Sequence, residues 1–252
     1  MFSLHNRIAL VTGGNGGLGL GMALGLVSVG ATVVIAARQQ SKAETALSRL
    51  RESNAACRFV PLDVTSADSC RLAVHAVIER YGRIDILINN AGMNVRKLPQ
   101  ELSEAEWQAV IDTNLSGAFR CAQAVYPYMK TAGRGKIVNI ASMYATFGAP
   151  MVAAYAASKG GIVQLTKSLA TAWAENRIQV NCIVPGWLDT DLTRAARREV
   201  EGLHEAVLNR TPAGRWGTPE DMAGVAVFLA SDASNFVTGA CIPVDGGYSV
   251  RG

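Results

Sequence analysis

Short apolar runs alternate with helix-forming stretches along the whole chain. Apolar runs of this length, with no polar alternation, suit strands buried on both faces, and parallel strands of that kind need a crossover between them. Arg7-Ile-Ala-Leu-Val-Thr12 is the first run and ends at glycines. A helical stretch from Leu18 to Val29 closes at Gly30, and Thr32-Val-Val-Ile-Ala-Ala37 follows as a second strand. Together they make a βαβ unit of about thirty residues. Further strands are predicted at Arg58 to Leu62, Ile84 to Ile88, Lys136 to Ile140, Ile178 to Val184 and Ala240 to Val244. A helix from Ala67 to Tyr81 is expected to stop at Gly82, and another to start near Pro219. No linker-like composition or internal repeat divides the chain. The expected fold is α/β: a single domain over residues 1–252 holding a doubly wound parallel sheet of about seven strands, with helices on both faces.

Ligands of such sheets bind outside the carboxyl ends of the strands. Five features fall on that edge. The turn Thr12-Gly13-Gly-Asn15-Gly-Gly17-Leu18-Gly19 follows the first strand, Asp63-Val64 the third, Asn89-Asn90-Ala91-Gly92 the fourth, Ser142 the fifth and Pro185-Gly186 the sixth. Glycines in the first turn let the backbone approach a pyrophosphate, whose charge the helix N-terminus then meets. The domain therefore reads as a Rossmann-type nucleotide binder. The second strand ends at Ala37-Arg38, with no carboxylate to hold an adenosine ribose or repel a 2′-phosphate. A guanidinium there favours NADP(H), with NAD(H) left open; a surface arginine at a loop start is the other reading. Asp63 fits an acceptor for the adenine amino group, or equally a turn aspartate.

Tyr155 and Lys159 are four residues apart in a small-residue, helix-forming stretch, so phenol and ammonium share one face. A nearby cation lowers a phenol's pKa, which makes it a usable acid–base group. Ser142 is placed to hold a carbonyl oxygen that Tyr155 would protonate, although a serine after a strand is also a common cap. Asn114 by itself reads as a helix-surface or capping residue.

The glycine turn, Asn89-Asn-Ala-Gly92, Asn114, Ser142, Tyr155-x-x-x-Lys159 and Pro185-Gly186-x-x-x-Thr190 occur in order over the whole chain. In this the chain resembles the short-chain dehydrogenase/reductase family. The resemblance implies an NAD(P)-dependent enzyme acting on CH–OH groups, interconverting a secondary alcohol and a ketone by hydride transfer. It makes Tyr155 the general acid of reduction and base of oxidation. Lys159 would lower the Tyr155 pKa and bind the nicotinamide ribose, Ser142 would orient the substrate oxygen, and Asn114 would support a water-linked proton relay. Gly13, Asn15, Gly17, Leu18, Gly19, Arg38, Asp63, Val64, Asn90, Ala91 and Gly92 are the implied cofactor contacts, with Pro185, Gly186, Leu188 and Thr190 at the nicotinamide end. The family also implies a homotetramer, with the Cys241-to-Tyr248 tail and the Tyr155 helix as interface elements.

Substrate contacts are expected from Asn94, Arg96, Met143, Tyr144 and Trp187, and a lid from an insertion at about 187–215, for which a surface helical hairpin is the plainer account. Thr211-Pro-Ala-Gly-Arg-Trp-Gly217 and Val244-Asp-Gly-Gly247 are similar to the gluconate and 2-deoxygluconate dehydrogenases of the family. A sugar acid needs a cation for its carboxylate, and Arg96 or Lys97 supplies one. Met143, Trp187 and Leu188 favour the competing reading, a reductase of apolar ketones or 3-oxoacyl groups. A non-catalytic nucleotide-binding regulator or scaffold would keep the fold, but such proteins typically lack the tyrosine or the lysine.

The net charge of +4 comes without a basic stripe or binding motif, so no nucleic-acid partner is expected. The apolar runs are too short to span a membrane, and the N-terminus runs straight into a strand without a leader. Five scattered cysteines argue for free thiols in a reducing cytoplasm. His5, His75 and His204 have no metal-ligand spacing, so no metal site is expected.

Overall fold

β1 (Ile8–Thr12) is buried along its whole length, as are most residues of β2 (Thr32–Ala37), β4 (Ile86–Asn89) and β5 (Gly135–Ile140). Because side chains alternate across a strand, each apolar run feeds two layers at once. Ala9, Val11, Val33, Ile35, Ile86 and Ile88 pack on one face, against Met22 and Leu26 of α1 (Gly17–Ser28) and Leu229 of α9 (Ala223–Ala230). Leu10, Val34, Leu87 and Ile137 pack on the other, against Val77 of α3 (Ala67–Tyr81) and Val125 and Met129 of α5 (Gly117–Ala132). The computed structural model describes residues 1–251.

With β3 (Arg58–Pro61), β6 (Ile178–Pro185) and β7 (Cys241–Val244), the sheet has seven strands in the order β3-β2-β1-β4-β5-β6-β7. Every neighbouring pair is parallel. The order reverses direction between β1 and β4, which opens a crevice at their carboxyl ends. The remaining helices are α2 (Gln40–Arg51), α4 (Glu104–Ile111), α6 (Ala153–Trp173), α7 (Asp191–Glu199) and α8 (Leu203–Arg210). Among the described residues no helix is long and apolar enough to cross a membrane.

α3 spans the expected residues. The Ser66 side chain accepts from Ser69 N at its start, and Gly82 takes the left-handed conformation (φ 72°) at its end. Two expectations shift. β4 begins at Ile86 rather than Ile84, because the Asp85 carboxylate turns aside to accept from Ile8 N (2.9 Å) and to pair with Arg7 and Arg83. The Pro219 helix is a 3₁₀ turn over Pro219–Met222, with α9 starting only at Ala223.

α1 carries glycines where it meets that turn. A Cβ on Gly21 would run into the Pro219 carbonyl, and one on Gly25 would stand 2.6 Å from the Ala223 Cβ. Gly21→Ala is therefore expected to cost about 1–3 kcal/mol through overpacking. A thermal melt should show this as a fall of roughly 2–10 °C; an unchanged melt would mean that α1 and the Pro219 turn are not in register.

Candidate active site

The turn after β1 is open because its glycines leave it so. Gly13 and Gly17 lie at φ 64° and 48°, in the left-handed region that glycine adopts without strain. A Cβ on Gly19 would overlap the Gly13 carbonyl and the Asn90 amide. Asn90 Nδ2 donates to the carbonyls of Thr12 and Gly13 (both 3.1 Å), while Thr12 Oγ1 accepts from the backbone N–H groups of Asn90 and Ala91 (both 3.0 Å). This lattice ties the β1 and β4 loops together at the point where the strand order reverses. α1 has no acidic residue in its first turn and no side-chain cap, so no carboxylate competes for an anion there.

Two cavities flank the turn. One, of about 320 Å³, is lined by the glycine turn, Asn90, Ser142, Tyr155, Lys159, Pro185, Gly186, Leu188 and Thr190. The other, of about 330 Å³, is lined by Arg38, Asp63 and Val64, among others. Gly13, Asn15, Lys42, Ala91 and Gly92 line both, so the two form one cleft with the glycine turn at its waist. Its two lobes and its bare backbone waist fit a dinucleotide.

α6 carries Tyr155 and Lys159 on one face, with Lys159 Nζ 5.5 Å from the Tyr155 ring centre. Lys159 is buried, and its ammonium donates to the Ile140 carbonyl at the end of β5 (2.7 Å). Burial pushes Lys159 down to about 8. Tyr155 opens partly onto the cleft, yet desolvation pushes its hydroxyl up to about 12. The expected lowering by Lys159 is absent; the Ser142 hydroxyl is the group that pulls Tyr155 down, and burial outweighs it. Tyr155 therefore holds its proton throughout the neutral range, which suits it to donate one.

Asn114 is neither surface nor cap. It is buried in a π-helical turn, Asp112–Ser116, between α4 and α5. Its amide accepts from Met93 N (2.8 Å) and donates to Met93 O (2.9 Å) and Ser158 Oγ (3.0 Å). A Cβ on Gly92 would stand 3.3 Å from Asn114 Oδ1 and 3.8 Å from Lys159 Nζ, so both groups converge on that glycine. π-turns often mark functional positions.

Asp63 accepts from the backbone and hydroxyl of Thr65 (3.0 and 2.7 Å), bonds that hold its carboxyl below the usual range. It is a turn aspartate on the rim of the Arg38 lobe. Gly19 lies beneath the turn rather than on the cleft wall.

Among the residues expected at the substrate, Tyr144 meets Tyr155 edge-on at 6.3 Å and Trp187 at 6.2 Å, giving an aromatic wall beside the Tyr155 ring. Trp187 continues to Trp216 (5.4 Å), over which the Arg197 guanidinium lies at 3.9 Å. Arg96 is held by Glu199 of α7 (3.6 Å), and Asn94 Oδ1 is buried without a hydrogen-bond partner. Met143 is buried, and like Asn94, Arg96, Tyr144 and Trp187 it lines neither lobe of the cleft. The stems of the 187–215 segment are joined: Gly217 N donates to Trp187 O (2.9 Å), and Asp189 N to Gly217 O (2.8 Å).

Lys42, in the first turn of α2, lines both lobes, and no motif in the sequence marks it. It faces Asp191 at the start of α7 across the cleft (3.7 Å). A cation at a helix N-terminus opposes the macrodipole, and that is the signal that would have found it. Among the described residues no cluster of three His, Cys, Asp or Glu side chains is placed to hold a metal ion, and the five cysteines are unbridged.

A dinucleotide-shaped cleft with a half-buried tyrosine and a buried lysine and serine at one end defines an oxidoreductase. The family model described as enoyl-(acyl carrier protein) reductase matches residues 13–249. The chain is 40% identical over 250 residues to gluconate 5-dehydrogenase of Gluconobacter oxydans, covering 99% of this chain and 97% of that one. It is 40% identical over 257 residues to 2-dehydro-3-deoxy-D-gluconate 5-dehydrogenase of Escherichia coli, covering 99% and 98%. Among solved structures, a gluconate 5-dehydrogenase from Burkholderia cenocepacia in complex with NADP and tartrate superposes with a TM-score of 0.95 at 40% identity, over 100% of this chain and 98% of that one. The chain belongs to the short-chain dehydrogenase/reductase family.

Proposed function

We propose that this enzyme interconverts a keto-sugar acid and its hydroxy acid with NADP(H). The observation that carries the reading is the single cleft that joins Tyr155, Ser142 and Lys159 at one end to Arg38 at the other, with Lys42 lining both lobes between them. The names of the relatives, which are sugar-acid dehydrogenases, support the substrate class. The nicotinamide supplies the hydride. Tyr155 donates the proton to the carbonyl oxygen in reduction, Ser142 orients that oxygen, and the Lys159 ammonium offsets the negative charge that develops there. Asn114 fixes the Met93 backbone beside Lys159 and supports the relay that returns the proton to Tyr155. Arg38 and Lys42 hold the 2′-phosphate, Arg96 takes the substrate carboxylate, and the 187–215 segment closes as a lid on its paired stems. The exposed Phe119 and Phe236 give the chain apolar surface for a homotetramer, and five unbridged cysteines suit a cytoplasmic enzyme.

The test is NADPH consumption with 5-keto-D-gluconate and related keto acids, run beside uncharged ketones of similar size. Turnover of the acids that falls on Arg96→Ala is the expected result. Turnover confined to the uncharged set would replace the sugar-acid reading with a reductase of apolar ketones working against the Tyr144–Trp187 wall.

Arg38→Ala is expected to weaken NADPH by roughly 10- to 100-fold, from the loss of charge-assisted bonds worth about 1.5–3 kcal/mol, and to leave NADH unchanged. Fluorescence titration checks it, and equal losses for both nucleotides would count against a 2′-phosphate clamp. The pH dependence has a definite sign. Tyr155 stays protonated up to about 12, while Lys159 loses its charge as pH rises through about 8. kcat/KM for reduction should therefore be level below that point and fall above it. A profile still level at pH 10 would mean that the Lys159 charge does not stabilise the developing oxyanion.

A further inference from the structure

We infer that the amino edge of the sheet, opposite the coenzyme cleft, carries a second anion site that takes a phosphate dianion, free or as a phosphomonoester. A cavity of about 830 Å³ opens there, at the starts of β1, β4, β5 and β6. Its wall carries Arg7, Arg83, Arg134, Lys136 and Arg177 against only two carboxylates, Asp85 and Asp232. Asp85 is a buried hub that pairs with Arg83, Arg7 (3.4 Å) and Arg134 (3.7 Å), and Arg7 also reaches Asp232 (3.2 Å). Arg177 makes no ion pair among the described residues. The Lys136 ammonium meets only neutral oxygens, Ser234 Oγ (3.1 Å) and Asn235 Oδ1 (2.9 Å), which leaves a third N–H.

Clamping the chain around Asp85 accounts for three of these cations and not for the other two. It also leaves Arg83 Nε buried without a hydrogen-bond partner. Five cations against two carboxylates is an excess of three charges. The C-termini of α3 and α5, which end beside the cavity, offset about half a charge each, leaving about two. A phosphate ester carries about −1.5 to −2 at neutral pH, so the charges match. The cavity lies within the usual ligand-pocket range of about 300–1,000 Å³, roomy enough for an organic group on the phosphate. Burial lowers Lys136 to about 8, and a dianion beside it reverses that shift by drawing in a proton.

The experiment is calorimetric titration of the enzyme saturated with NADPH, so that the coenzyme cleft is filled. Inorganic phosphate and glycerol 3-phosphate are added at constant ionic strength set with chloride. One saturable site per chain is expected, with proton uptake at pH 8. Tighter glycerol 3-phosphate identifies a phosphomonoester as the ligand, and equal or weaker binding identifies free phosphate. The double variant R134A/R177N should bind at least tenfold more weakly with turnover unchanged; asparagine tolerates the left-handed backbone at position 177 (φ 57°). Wild-type enzyme with no saturable heat from either anion, or a double variant that binds as wild type does, would overturn the proposal.

Discussion

Replacing Tyr155 by phenylalanine is expected to lower kcat by about 10²–10⁴-fold, the usual worth of a positioned general acid. The change removes one hydroxyl and leaves the ring, with its edge contact to Tyr144 and its place beside Lys159. NADPH affinity should thus stay near that of the wild type, because the glycine turn and Arg38 are untouched. Steady-state rates together with a fluorescence titration separate the two effects. Loss of both would point to a structural role, and retention of rate would place the proton donor elsewhere. With its hydroxyl pushed up to about 12, Tyr155 gives up its proton readily only where the phenolate left behind is stabilised. Ser142 and Lys159 are the groups at hand.

Gly19→Ala is the second large effect expected. The added methyl would collide with the Gly13 carbonyl and the Asn90 amide, the two groups that set the turn. Neither is a flexible tip. Gly13 sits at positive φ, and Asn90 is fixed by two bonds of 3.1 Å. The cradle must shift, and a misplacement of about 1 Å costs on the order of 10²-fold when groups have to be held in place. NADPH affinity is expected to fall by about that factor, with a loss of about 1–3 kcal/mol of stability. Binding and melting curves on the same sample measure both. An alanine variant that binds NADPH as the wild type does would show that the turn does not carry the coenzyme.

The strands were legible because a strand buried on both faces has no choice of side chain: β1, β2 and β5 come out within a residue of their expected bounds. α3 was legible because its cap and its terminal glycine act locally. What the sequence hid is long-range. β4 starts late because Asp85 answers to Arg7, seventy-eight positions away. The burial of Asn114 depends on a π turn that no local propensity announces, and Lys42 reaches the cleft only because α2 starts beside the glycine turn. The Tyr155–Lys159 pair is visible from spacing. Its electrostatics are not, because spacing gives proximity and says nothing of how much water the fold removes from each group. Arg96 is visible in the sequence as a cation after the Asn-Asn-Ala-Gly turn, but its ion pair with Glu199 depends on how α7 folds back.

The most direct measurement uses NADPH carrying deuterium at both C4 positions, with 5-keto-D-gluconate as substrate and mass spectrometry of the product. One deuterium on the new carbinol carbon is the predicted result, with the label still delivered but far more slowly in Tyr155→Phe. An alcohol product without deuterium, or NADPH consumed with no alcohol formed, would contradict the account.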